Sequence, residues 1–337
     1  MEITEDIRSE IHHHIISANP EFRDFQVGTF SQIIGGADTT IFKFDLVSDS
    51  VTVPLILRMH RPGCLGSAHR EYQIMKDLYA AGLDIPRPYI LLEKFSTLDR
   101  ACIVMERIQG QLLSEQILSS YPGTRFDSLI RMYMKTMAKL HSFNWSRHLS
   151  FLDSDGVSAN PQLSIDYDLL MPRKRAKDYD IKELTQVISW LDDNRIEKTE
   201  ACLVHGDFHP LNIIVTDDSR LITLDWTNAK LADFRMDLGF AVVAGESSGL
   251  DIREQMIAEY EAVTKKRVEQ LEFFMVLSCL HNVFRVYSAI FDHKITGESE
   301  ETEGLFRGQY SDYARYIVTM TQETTGVSLA RILDKIQ

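Results

Sequence analysis

The stretch from Cys202 to Trp226, "CLVHGDFHPLNIIVTDDSRLITLDW", constrains this chain more than any other. Two short β-branched runs, "NIIV" and "LITLDW", flank the turn-forming "TDDSR", and that composition predicts a hairpin. The residues ahead of it have helical spacing: Leu129, Ile130, Tyr133, Met137 and Leu140 share one face, as do Ile181, Leu184, Ile188 and Leu191. After about Asp251 the helical period returns. A hairpin is therefore set within a helical region, with His205, Asp207, His209, Asn212 and Asp225 gathered about it.

The chain before residue 108 has a different period. "FSQIIGGADTTIFKFDLV" and "VTVPLILRMHRPG" read as strands, with Gly35 and Gly36 at the first turn. "SAHREYQIMKDLYAAG" then places Ala68, Tyr72, Met75 and Tyr79 on one helical face, with Gly82 as its stop. "PRPYILLEKF" and "ACIVMERIQG" give two further strands, the second closed by Gly110. A leading helix carries Ile3, Ile7, Ile11 and Ile15 as an apolar stripe, leaving His12, His13 and His14 as solvated positions. With 337 residues, 44% of them hydrophobic, the chain is long enough for two lobes. The expectation is an α+β fold: residues 1–108 form a β-rich lobe with a leading helix, and residues 109–337 form a mainly helical lobe.

The formal net charge of -13 argues against nucleic acid or an anionic membrane as a partner, since polyanions are repelled by most of such a surface. Cys64, Cys102, Cys202 and Cys279 are scattered without CxxC pairs, which points away from a disulfide framework and toward a reducing, cytoplasmic setting. The amino-terminus has acidic residues where an export signal carries lysines. The apolar run "FFMVLSCLHNVF" is shorter than the roughly 20 residues that cross a bilayer, and reads as a buried helix. The "ESEETE" run at 298–303 reads as a solvated face.

Two chemistries compete for the polar cluster. Alternating His205, Asp207 and His209 could ligate zinc or iron, but such a site needs further ligands, His281 and His293 do not cluster with it, and Asn212 is left without a role. Phosphoryl transfer uses the residues more completely. It needs a carboxylate for the attacking hydroxyl and oxygen donors for magnesium. Asp207 supplies the first; Asn212 and Asp225 supply the second, and the hairpin is expected to carry all three to one end of a small sheet. Their spacing repeats that of the catalytic loop and metal aspartate of protein kinases.

"LVHGDFHPLNIIV" followed by "LITLDWTNAKLADFRMDLGF" resembles the aminoglycoside phosphotransferase and choline kinase family over most of the chain, roughly residues 25–320. The resemblance implies a bilobal, protein-kinase-like fold that uses ATP or GTP with Mg2+ to phosphorylate a hydroxylated small molecule. It implies that Asp207 is the catalytic carboxylate, that Asn212 and Asp225 bind magnesium, and that His205 and Asp237 support the catalytic loop. For the nucleotide it implies Arg58 in place of the usual phosphate-contacting lysine, Glu71 as its helix partner, the Gly35-Gly36 turn over the phosphates, and Met105, Glu106 and Ile108 as the adenine hinge.

Two departures from the family pattern stand out, Arg58 for lysine and "DWT" for the commoner "DWE", which puts Thr227 where a carboxylate is usual. The acceptor, whether aminoglycoside-like, an amino alcohol or sugar-like, leaves little signature. Glu246, Asp251 and Glu254 are available to a cationic acceptor, and Trp226, Tyr287 and Phe291 to a quaternary ammonium. The alternative class is a non-catalytic kinase-fold protein that binds nucleotide or a regulatory ligand.

Overall fold

Thr4 opens the first helix, α1 (Glu5–Ala18), by accepting the Ile7 N–H on its hydroxyl. Ile7, Ile11 and Ile15 form its buried stripe, in one apolar cluster with Phe42, Phe44, Leu55 and Leu57. His12 differs from the solvated reading: it is half-buried and its Nε2 lies 2.7 Å from the Phe25 carbonyl, so that nitrogen carries the hydrogen. The computed structural model describes residues 3–33, 39–93, 100–292, 294–296, 308 and 310–336. Gly35, Gly36, His293 and the acidic run at 298–303 lie outside the described residues.

The chain forms two compact units, residues 1–113 with 212–229, and residues 114–211 with 230–337. In the first, β1 (Gln26–Val27), β2 (Ser31–Ile33), β3 (Thr39–Val47), β4 (Thr52–His60), β5 (Pro88–Leu92) and β6 (Cys102–Glu106) make a curled antiparallel sheet. Its order is β1-β3-β4-β6-β5, with β2 also on β3. Side chains alternate between the two faces of a strand. On β4 that sends Leu55, Leu57 and Met59 into the cluster with α1, and Arg58 and His60 to the opposite face.

Helix α2 (Leu65–Ala80) buries Ala68, Glu71, Ile74, Met75 and Leu78. The buried face is turned from the expected one: Tyr79 is exposed and the ionisable Glu71 is inside, because Arg58 and His60 of β4 meet its carboxylate.

The same unit holds the hairpin. Strands β9 (Ile213–Val215) and β10 (Leu221–Thr223) pair antiparallel, and β9 also pairs with the two-residue β7 (Gln111–Leu112) through Gln111↔Val215 and Leu112↔Ile214. That ladder draws residues 212–229 into the first unit and moves its edge to 113, where the sequence pattern divides the chain at 108. Gly110, just before β7, has φ +149, and a Cβ there would overlap the Val215 carbonyl, so the approach of β7 to β9 requires glycine.

The second unit is mostly helical. It contains α3 (Leu113–Ser120, whose first residue belongs to the first unit), α4 (Thr124–His141), α5 (Trp145–His148), α6 (Gln162–Asp178), α7 (Lys182–Asp193), α8 (Arg235–Glu246), α9 (Arg253–Thr264), α10 (Leu271–Phe291), α11 (Ser311–Thr325) and α12 (Ala330–Leu333). The apolar faces read from α4 and α7 are buried. A short ladder of β8 (Ala201–Val204) with β11 (Lys230–Asp233) leads into α8. Helix α8 packs on α10, where Gly239 lets the backbones close: a Cβ would stand 3.0 Å from the Met275 nitrogen. By length and composition α10 could cross a bilayer, yet 72% of its apolar window is buried within the protein.

Candidate functional site

In the first unit the site is built from β4, α2 and the turn after β10. Arg58 Nη1 lies 3.3 Å from Glu71 Oε1, and Nη2 lies 2.7 Å from Asp225 Oδ1 and 3.1 Å from Thr227 Oγ1. His60 Nε2 is 3.2 Å from Glu71 Oε2. The Glu71 side chain is fully enclosed, so its charge depends on these partners. Asp225 has φ +62, a left-handed backbone that few residues other than glycine adopt and that clusters at functional turns. Leu224 donates its N–H to the Asn212 carbonyl at 2.8 Å, which holds Asn212 beside the residue that precedes Asp225. The hairpin thus brings Asn212 and Asp225 together in the first unit, and Asp207 belongs to the second.

The second unit builds the loop that carries Asp207. Asp237, in the first turn of α8, accepts the His205 and Gly206 N–H groups at 2.8 Å each and the Nε2–H of His141 at 3.1 Å. Gly206 has φ +77, the left-handed bend that turns both amides toward one carboxylate. Burial alone would raise the Asp237 carboxyl, but the hydrogen bond and charge of His141, with those of His205, hold it below its usual range. His141 Nδ1 faces the Tyr260 hydroxyl at 2.8 Å. Tyr133 stacks on Phe208 and donates its hydroxyl to the Phe208 carbonyl at 2.7 Å, fixing the loop one residue past Asp207.

His205 is buried and its Nδ1 accepts the Asp207 N–H at 3.3 Å. Among the described residues, His205, Asp207 and His209 do not converge with one another or with other His, Cys, Asp or Glu side chains into the group of ligands that zinc would need. His209, whose role the sequence leaves open, packs on Phe240 and brings Nε2 to 3.4 Å from Asp207 Oδ1.

Several expected residues stand elsewhere or act differently. Met105 is buried and Ile108 half-buried, but the Glu106 N–H is already taken by the Arg87 carbonyl at 2.9 Å, leaving only its carbonyl for a hinge contact. Trp226 is core, its Nε1–H on the Thr223 carbonyl, and the buried Tyr287 packs at 4.6 Å against the half-buried Phe291, whose ring face already holds the Arg331 guanidinium. Glu246 is occupied by Arg253 and the Tyr316 hydroxyl. His60, His141, Tyr133 and Tyr260 are absent from the expectations. Tyr133 is legible only as an apolar-face residue, and nothing in the local sequence marks the others.

Asn212 and Asp225 offer hard oxygen donors of the kind magnesium prefers. Among the described residues no group of three or more His, Cys, Asp and Glu side chains converges as a protein-only cage. Two donors fit an ion that arrives with phosphate oxygens and completes its shell from them and water. Burial pushes the Cys102 and Cys279 thiols up to about 12, and the Cys202 thiol also upward, so none of these three is a rival nucleophile.

The profile of the phosphotransferase enzyme family matches residues 29–271. Among curated proteins, acyl-CoA dehydrogenase family member 11 of Gallus gallus is 30% identical over 191 residues, which is 52% of this chain and 23% of that protein. The Rattus norvegicus protein of the same name is 25% identical over 254 residues, covering 66% of this chain and 32% of its own length. The chain therefore spans less than a third of the curated relatives it matches.

Among solved structures, a protein of Ralstonia eutropha JMP134 described as an aminoglycoside phosphotransferase superposes with a TM-score of 0.67 at 20% identity, over 89% of this chain and 93% of its own. The APH(4)-Ia complex with AMP-PNP and hygromycin B gives 0.58 at 16% identity, over 95% and 99%. The streptomycin–ATP complex of APH(2")-IIa gives 0.55 at 15% identity, over 96% and 98%.

Proposed function

The chain belongs to the phosphotransferase enzyme family, and from that premise we propose that it moves the γ-phosphate of ATP or GTP, with Mg2+, to a hydroxyl of a small molecule. The observation that carries this reading is the enclosed Arg58–Glu71 pair reaching Asp225 at 2.7 Å, which ties a phosphate-type cation to a metal-type carboxylate. Arg58 contacts the α and β phosphates, and Glu71 aims its guanidinium. Met105, Glu106 and Ile108 receive the base, and Gly35 and Gly36 are assigned to the phosphates by the family resemblance alone.

Asp207 accepts the proton of the acceptor hydroxyl as its oxygen attacks phosphorus in line, and the nucleoside diphosphate leaves. His205 and Asp237 hold the backbone of that loop still, so the carboxylate is placed before the acceptor arrives. Asn212 and Asp225 would hold magnesium, whose charge offsets that on the phosphate oxygens.

The acceptor class is a hydroxylated small molecule. Streptomycin and hygromycin B appear with the structural neighbours, and the curated relatives carry acyl-CoA in their name, so aminoglycosides and hydroxyacyl thioesters head the acceptor panel together with amino alcohols and sugars. Free thiols at all four cysteines accord with a cytoplasmic setting.

The test is nucleotide turnover on that panel with Asp207→Asn as control. On this reading one acceptor class is phosphorylated in a magnesium-dependent way, and Asp207→Asn loses about 10²–10⁴-fold in turnover. A second reading, a nucleotide-binding protein without transfer, is favoured by Arg58 seated on the Asp225 carboxylate that magnesium would use. Nucleotide binding with no acceptor turned over selects it, and acceptor turnover unchanged in Asp207→Asn removes Asp207 as the catalytic carboxylate.

A further inference from the structure

Thr227 has no part in the roles above, yet its hydroxyl sits among three of the first unit's charged groups, Arg58, Glu71 and Asp225. Oγ1 lies 2.9 Å from Asp225 Oδ1, 3.2 Å from Glu71 Oε2 and 3.1 Å from Arg58 Nη2. A guanidinium only donates and an ionised carboxylate only accepts, while a hydroxyl has a single hydrogen. Oγ1 therefore accepts from Arg58 and can donate to Asp225 or to Glu71, but not to both.

The two carboxylates are alternatives for one hydrogen, and the balance follows the charge each presents. Asp225 Oδ1 already takes Arg58 Nη2, and Glu71 Oε2 already faces His60 Nε2. A cation on Asp225 would draw on the same lone pairs, making that oxygen the poorer acceptor and Glu71 the better one.

We propose that Thr227 is a positioning residue whose hydroxyl hydrogen couples cation occupancy at Asp225 to the hold of Arg58 on nucleotide phosphate. With no cation on Asp225, Thr227 and Arg58 both lean on its Oδ1. When Asp225 is engaged by a cation, Thr227 turns its hydrogen to Glu71, and Arg58 loses its tie to Asp225 while keeping Glu71 as its anchor. Nη2 is then available to phosphate. Cation and nucleotide strengthen each other's binding, and by linkage the effect is reciprocal. The inference rests on the phosphotransferase reading of Arg58 and Asp225.

The test is equilibrium binding of ADP and of ATP, each with and without Mg2+, to the wild type, Thr227→Ser, Thr227→Val and Thr227→Ala. The readout is the ratio of the two dissociation constants, in which the magnesium affinity of the free nucleotide is common to all proteins. Couplings of this kind commonly span about 5–150-fold. Serine keeps the hydroxyl and should keep the wild-type ratio. Valine keeps the shape and loses the hydrogen, and its ratio should fall by about fivefold or more. Alanine should behave like valine and serves in its place if the branched side chain does not fold. Valine and alanine ratios equal to wild type overturn the proposal and leave the phosphotransferase reading standing. A wild type that binds no nucleotide, or binds it without regard to magnesium, overturns both.

Discussion

Arg58 is the residue on which most of the unit 1 site depends. One guanidinium meets two carboxylates, one of them fully enclosed. Removing one partner of a buried pair leaves an uncompensated charge, which costs about 3–5 kcal/mol. Arg58→Met is therefore expected to lower stability by an amount in that range, measured by urea unfolding. Arg58→Lys should lose less, because an ammonium keeps the charge but lacks the planar fork that reaches both carboxylates.

The pairing of Arg58 with Glu71 is legible in the sequence only through the family resemblance, because the helical spacing of α2 points to a face with Tyr72 and Tyr79 rather than Glu71. Thr227 is visible there only as a departure from a pattern. Its contact with Glu71 spans 156 residues of chain, a separation that no local period encodes.

Helix α8 shows how an element places a site. Its first turn presents Asp237, whose carboxylate favours the helix N-terminus and gathers two loop amides and His141. Its folded-state carboxyl lies below the ordinary value of 3.8, so it contributes stability that is present above that value and is lost as pH falls through the folded one. Thermal midpoints followed from neutral pH to below about pH 4 should fall steeply in the wild type. In Asp237→Asn they should start lower and fall less.

The β7–β9 ladder makes a different demand. Gly110→Ala must shift the Val215 strand and hold a positive φ, so it should destabilise by about 1–3 kcal/mol in the same unfolding assay. The glycine is readable in the sequence as a strand stop. Its reason, the Val215 carbonyl, is not.

At the scale of the whole molecule, a ligand that binds the folded chain stabilises it by mass action. At a nucleotide concentration of 100 times Kd the gain is about 2.7 kcal/mol. On the proposed function, ATP with Mg2+ should raise the melting midpoint and EDTA should withdraw most of that gain. A midpoint indifferent to EDTA would count against Asn212 and Asp225 as the magnesium donors.

By itself the sequence determined the α+β class, the β-rich start and helical remainder, a hairpin of "NIIV" with "LITLDW" (212–226), and the spacing of Asp207, Asn212 and Asp225. Each of these depends on periods and turn residues that act within a few turns of helix or one strand and its neighbour. Only the tertiary structure decided that β7 draws the hairpin into the first unit, that His60 and Thr227 meet Glu71, that His141 completes the shell of Asp237, and that Trp226 and Tyr287 are spent on packing. Those outcomes depend on strand register and helix contact between residues far apart in the chain, where one position of shift would exchange every partner.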